Sequence, residues 1–163
     1  MYHVQIRRRV SIEARRPGVV FSISFSGVVA LDQITKALIR AWLATGESYA
    51  IWANILDITH VKNEGAAFGL LPGQRAWFIT TSVVVLLGIA VYWWRERPRS
   101  AWVVIAMGLV SSGAVGNLID RSTAGLVTDF IDVFGRHFPV FNVADSALVI
   151  GVGLLVVWEL LAP

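Results

Sequence analysis

The chain has 163 residues, 56% of them hydrophobic and 15% charged, with a mean hydropathy of +0.66. That balance is far from an ordinary soluble domain and points to a membrane. The absence of cysteine removes disulfides, thiolate nucleophiles and cysteine-based metal sites.

In chain order, residues 1–16 form a basic segment carrying Arg7, Arg8, Arg9, Arg15 and Arg16. A first apolar stretch runs from Pro17 to about Arg40. It is too long for a secretory signal and no convincing small-residue cleavage site follows it, so it reads as a retained anchor. Residues 41–74 are too long for a simple turn. Within them Ile55–Val61 is β-branched and aliphatic, reading as a strand, and Asn63–Gly69 is turn-rich. Further spans are predicted from Arg75 to Trp94, from Ala101 to about Asp120 and from about Val140 to Leu161. The expected fold is an all-α membrane protein with four transmembrane helices and a small extracytoplasmic β element between helices 1 and 2. With no linker, low-complexity run or fixed repeat, residues 1–163 read as one membrane-embedded domain.

Orientation follows from the arginines. The segment before the first span and the short loop holding Arg95, Arg97 and Arg99 both belong on the cytoplasmic side, as do both termini. The net charge of +3 and the pI near 9.8 are explained by this asymmetry rather than by nucleic-acid binding. Tryptophans at span ends agree: Trp42 and Trp77 at outer ends, Trp93, Trp94, Trp102 and Trp158 at inner ends.

This orientation gives the ionisable residues depths. Asp32 lies 14 residues after Gly18, about 21 Å along a helix and so in the outer half of the hydrocarbon core. Asp120 and Arg121 close the third span at its outer end, and Asp145 lies about 7 to 8 Å below the outer boundary on the fourth. Asp129 falls on the external connection. Carboxylates in or beside hydrocarbon are costly, and two at one membrane edge suit an acid/base pair. Placement alone leaves Asp120, Asp129 or Asp132 as the partner of Asp145.

The motifs Asp32-x-x-Thr35-Lys36, Asn63-x-Gly65-Ala66-Ala67-Phe68, Gly116-Asn117-x-x-Asp120-Arg121, Val127-x-Asp129-Phe130 and Phe141-Asn142-x-Ala144-Asp145 resemble, in order and spacing, those of the bacterial lipoprotein signal peptidases (signal peptidase II). The likeness covers about Gly18 to Leu161. It implies an aspartyl endopeptidase of the bacterial cytoplasmic membrane that cuts a prolipoprotein just before its diacylglyceryl-modified cysteine, with Asp129 and Asp145 as the catalytic pair. Lipid-modified precursors are then the substrates, met among membrane lipids; chemistry run by two carboxyls requires no metal or other cofactor, the arginines are no signal for nucleic acid, and a monomer is expected.

The remaining polar residues stay open to two readings each. Asp32 and Lys36 form an intrahelical pair or position substrate at the edge of the site. Asn63, Asn117 and Asn142 orient a peptide or carboxyl, or bond helix to helix. Gly65 allows close approach to a ligand or makes a turn. Arg121 pairs with Asp120, or meets a lipid phosphate or substrate carbonyl. His60 and His137 are expected on the surface. Competing chemistries are a divalent-metal lipid enzyme using Asp129-x-x-Asp132, a Ser/Lys protease using Lys36 or Lys62, and a proton-coupled carrier, whose ionisable groups belong nearer the midplane.

Overall fold

In the computed structural model the described residues are 13–53, 55–65, 75–135 and 137–161. Four helices, α1 (Pro17–Trp42), α2 (Arg75–Glu96), α3 (Ala101–Thr123) and α4 (Val143–Leu161), are each long and apolar enough to cross a membrane. The chain is a multi-pass membrane protein. Three strands, β1 (Ser48–Trp52), β2 (Leu56–Asn63) and β3 (Val127–Val133), form one antiparallel sheet in the order β1-β2-β3.

The β element is therefore larger than expected. Two strands lie between α1 and α2, and the third comes from the α3–α4 connection that carries Asp129. Val127–Val133 contains two aspartates, which lowers its β-propensity, and its partner β2 lies more than sixty residues away, so nothing local announces it. Ala66–Gly69 and Arg7–Arg9 lie outside the described residues.

α3 is the centre of the bundle, buried along most of its length and packed against α1, α2 and α4. Lipid tails are as apolar as leucine, so helices associate in a bilayer by close packing and polar contacts rather than by hydrophobic burial. Two glycines permit that approach. A Cβ at Gly113 would overlap the backbone oxygen of Ala144, and one at Gly116 would stand 2.6 Å from Asp32 Oδ2. The outer helices instead turn Ile23, Leu31, Leu38, Val84, Leu87, Val149 and Leu160 away from the protein. α2 has no buried residue at all.

The sheet lies across one end of this bundle. β3 is fixed at two heights, by Thr128 N–H donating to Asp120 Oδ2 in the last turn of α3 (3.2 Å) and by Ile131 exchanging backbone hydrogen bonds with Phe141 (2.8 and 3.1 Å), two residues before α4. β2 folds back over the end of α1, which corrects the expectation for His60. That ring is buried and its Nδ1 donates to the Leu43 carbonyl at 2.8 Å. His137 is exposed. At the opposite end Ala14 N–H donates to the Arg99 carbonyl (2.8 Å), placing Arg15 and Arg16 beside the α2–α3 loop.

Candidate active site

Asp145 is the third residue of α4, and Asn142 precedes that helix. Asn142 Oδ1 accepts the Asp145 N–H (2.9 Å) while Asp145 Oδ2 accepts the Asn142 N–H (3.2 Å). The exchange is a capping box that uses aspartate, and it satisfies two helix-terminal donors reciprocally. The adjacent N–H, that of Ala144, is taken by Asp32 Oδ1 reaching across from α1 (2.9 Å). Local capping thus fixes Asp145 on its own helix, and α1 fixes where that helix begins.

Asp129 is held differently. It sits in β3 opposite Val61 of β2. Its Oδ2 accepts Asn63 Nδ2 (2.8 Å) and its Oδ1 accepts Asn142 Nδ2 (2.7 Å). Asn63 is oriented by its own Oδ1, which accepts the Gly65 N–H (2.9 Å) in an Asx turn. Asn142 therefore touches both aspartates, one through its side-chain amide and the other through its backbone and carbonyl oxygen. Asp132 Oδ2 accepts Thr59 Oγ1 (2.9 Å). Three residues along a strand place Asp129 and Asp132 on opposite faces, so the DxxD pair is not a shared site.

Beneath the two aspartates lies a buried cation. Lys36 is 0% exposed and its ammonium meets Asp32 (2.9 Å), Asp120 (3.2 Å) and Asn117 Oδ1 (3.0 Å), one acceptor for each of its donors. An ammonium has no acceptor capacity, so this contact turns the Asn117 amide nitrogen outward. There it donates to Asp145 Oδ1 at 2.7 Å. The three partners of Lys36 lead to the start of α4 through Asp32, to Asp145 through Asn117, and to the backbone next to Asp129 through Asp120 and Thr128.

Arg121 does not make the anticipated pair with Asp120, whose ion pairs are to Lys36 and, at 3.9 Å, Arg40. Arg121 instead donates to the Gly65 carbonyl (3.2 Å) and stacks 4.7 Å above the Phe78 ring. The reason is geometric: Asp120 is drawn toward α1, and Arg121, one residue or about 100° further round α3, faces α2.

Burial and the neighbouring charge of Asp145 push the Asp129 carboxyl up to about 7, against the opposing pull of its bonds to Asn63 and Asn142 and of the Lys36 charge. Both aspartates line a cavity of about 710 Å³ between α2, α3 and α4. Its polar end holds Asn63, Asn117 and Arg121, and Val85, Leu148, Val149 and Ile150 line the apolar remainder. Among the described residues no three His, Cys, Asp or Glu side chains are grouped as metal ligands.

Several contributors carry no chemical motif in the sequence. Gln33 ties Asp32 to the Gly116 carbonyl (3.0 and 3.2 Å), Arg40 donates to Thr128 Oγ1 (3.1 Å), and Phe78 receives Arg121. The capping-box spacing of Asn142 and Asp145 was readable, since an N-cap residue three before an acid at a helix start is a recognised pattern.

Two carboxylates joined through one asparagine and lining a cavity among apolar helices fit the result of comparison with known proteins. The family model described as signal peptidase (SPase) II matches residues 24–161. The chain belongs to the signal peptidase II family. It is accordingly an enzyme, a membrane-embedded peptidase. It is 44% identical over 128 residues to a lipoprotein signal peptidase of Brevibacillus brevis, covering 78% of this chain and 86% of that protein. It is also 44% identical over 131 residues to one of Halothermothrix orenii, covering 80% and 88%. A bacterial membrane enzyme solved by the in meso method at 1.9 Å superposes with a TM-score of 0.80 at 36% identity, over 90% of this chain and 95% of that one.

Proposed function

We propose that this chain is an aspartyl endopeptidase that removes the signal peptide from diacylglyceryl-modified prolipoproteins, cutting before the lipidated cysteine at the outer leaflet of the bacterial cytoplasmic membrane. The observation that carries the reading is the Asn142 bridge, which holds Asp129 and Asp145 together on one wall of the cavity. Among the described residues each of the four carboxylate oxygens has one donor. Each keeps a lone pair for water or substrate.

The reaction needs one ionised and one protonated carboxyl. Asp129, raised to about 7, is the group suited to hold the shared proton at neutral pH. Ionised Asp145 takes a proton from water as its oxygen attacks the scissile carbonyl, and the Asp129 proton goes to the carbonyl oxygen. Collapse breaks the C–N bond as Asp145 passes its proton to the amine of the cysteine and one hydroxyl proton of the diol returns to Asp129, so the signal peptide leaves with a new carboxyl terminus and both aspartates are restored. Arg121 and Asn63 stand where they meet the peptide backbone, while Asp32, Lys36, Asn117, Asp120 and Asn142 hold the pair. The apolar part of the cavity suits the signal-peptide side of the substrate, and the diacylglyceryl group stays in lipid.

Residues 1–163 are read as one domain that acts as a monomer. Both termini and residues 1–16 face the cytoplasm, a reading supported by the basic residues gathered at the end of the bundle away from the sheet. The deciding experiment gives purified protein a diacylglyceryl-modified precursor and its unmodified counterpart in the same vesicles, with chelator present. Release of the signal peptide from the modified precursor alone is expected. Equal cleavage of both would remove the lipid requirement, and loss on chelation with recovery on added metal would remove the aspartyl mechanism.

A further inference from the structure

Six of the seven tryptophans stand at or near helix ends. The seventh, Trp52, closes β1 and is 65% exposed. Ile51 precedes it, Ile55 follows the turn, and Phe134 stands just past β3, its N–H donating to the Ile55 carbonyl at 2.9 Å. Phe134 is 58% exposed and held at φ 57°, a left-handed conformation that non-glycine residues rarely adopt. One end of the small sheet thus carries large apolar side chains exposed at its surface, the kind of patch that marks a contact with a partner or a membrane.

Its height identifies what lies around it. Thr128 is bonded to the last turn of α3 and Ile131 to the residue two before α4, so β3 runs across the bundle end rather than away from it. β2 and β1 are paired alongside at the same level. The strand continues past Ile131 to Val133, and Phe134 follows it. At the other end of β1, Tyr49 packs on Trp42 of α1 with ring centroids 5.2 Å apart. The sheet therefore lies at the level of the span ends, where aromatic side chains meet lipid headgroups.

We propose that this end of the sheet is seated in the headgroup region of the bilayer, with Trp52, Ile55 and Phe134 as its anchors, and that it holds β3 and Asp129 at a fixed depth. The lipid contact stands independently of the peptidase reading, whereas its consequence for Asp129 rests on it. The chain lacks cysteine, so Trp52→Cys and Ile55→Cys each give a single site for a spin label in phosphatidylglycerol-containing vesicles. Both labels are expected to prefer oxygen over a water-soluble nickel relaxant, at a depth shallower than a label at Leu31→Cys on the lipid-facing side of α1. Aqueous behaviour at both positions would overturn the anchor. So would spin–spin broadening between labels, which would give the surface to a second copy of the chain. For the consequence, Trp52→Ser with Ile55→Ser is expected to raise the KM for membrane-held lipidated precursor severalfold with kcat retained. An unchanged KM would overturn the depth-holding role, and the label depths decide the anchor whether or not any precursor is cleaved.

Discussion

The two halves of the candidate site are built by opposite means. Asp145 is fixed by its own neighbourhood, a capping box closed within four residues of sequence. Asp129 is fixed by chain brought from far away: β2 beside it, Asn63 sixty-six residues off in sequence, and Asn142 from the other half. The first arrangement is rigid as soon as α4 forms. The second exists only when the sheet has assembled over the bundle end and the Asn63–Gly65 turn has closed. A site made of one preset carboxylate and one delivered by tertiary structure suits an enzyme that must admit a bulky substrate from the membrane, because the delivered half is the one next to the connecting loop.

The most severe change removes the titratable carboxyl from either half. Asp129→Asn and Asp145→Asn are each expected to lower cleavage of lipidated precursor at least about 10³-fold, since an amide keeps the shape but cannot exchange the proton. Wild-type turnover by either purified variant would take that residue out of the mechanism. The same Asp129 variant carries a stability signature. A carboxyl raised from 3.8 to about 7 on folding contributes stability that is fully present below the unfolded value and lost as pH rises through about 7. The wild-type melting temperature should therefore fall between about pH 4 and pH 7 for this reason, and the slope should flatten in Asp129→Asn. Parallel slopes in the two proteins would contradict the raised value.

Asn142→Ala comes next, because that residue belongs to both halves. It removes the hydrogen bond to Asp129 Oδ1 and the cap of α4, and it leaves Asn117 Oδ1 with Lys36 alone. Loss of an N-cap costs about 1 kcal/mol and loss of a bond to a charged group about 1.5–3 kcal/mol. The variant is expected to fold with a lowered melting temperature and to lose about 10²-fold in kcat. A fall in stability with kcat intact would reduce Asn142 to a cap.

The same contrast explains what could be read from the chain. The four spans and the acid residues at their outer ends follow from apolar run length and arginine placement, which are local properties. The Asn142–Asp145 capping box is local as well, although a span expected from about Val140 hides the cap inside a helix. β3 was not, because Val-Thr-Asp-Phe-Ile-Asp-Val becomes a strand through pairing with β2, and its aspartates drew it toward a chemical reading instead. His60 was misplaced on the surface because nothing local says that β2 folds back over Leu43. Of the two readings open for Arg121, the pair with its sequence neighbour Asp120 does not form, because Asp120 is held by Lys36 and Arg40 from α1. Adjacent residues on a helix point about 100° apart, so opposite charges side by side in sequence are poor candidates for a pair.

The finest test separates the halves without abolishing either. Asn63 touches Asp129 and not Asp145, whereas Asn117 touches Asp145 and not Asp129. Removing either amide deletes one bond to a carboxyl, so each alanine variant should lose about tenfold in kcat, the size of a single charge-assisted hydrogen bond. The pH profiles should differ. The Asn63 bond favours ionised Asp129, and without it the carboxyl, already at about 7, moves further up. If protonated Asp129 is the acid, activity falls as pH rises through that value. In Asn63→Ala the upper limb of kcat/KM should therefore shift to higher pH, leaving a variant that is slower at its optimum yet keeps more of its activity in alkali. Asn117→Ala should show the same loss with a smaller displacement of that limb. A larger displacement in Asn117→Ala than in Asn63→Ala would reverse the roles of the two aspartates, making Asp145 the proton carrier and Asp129 the base.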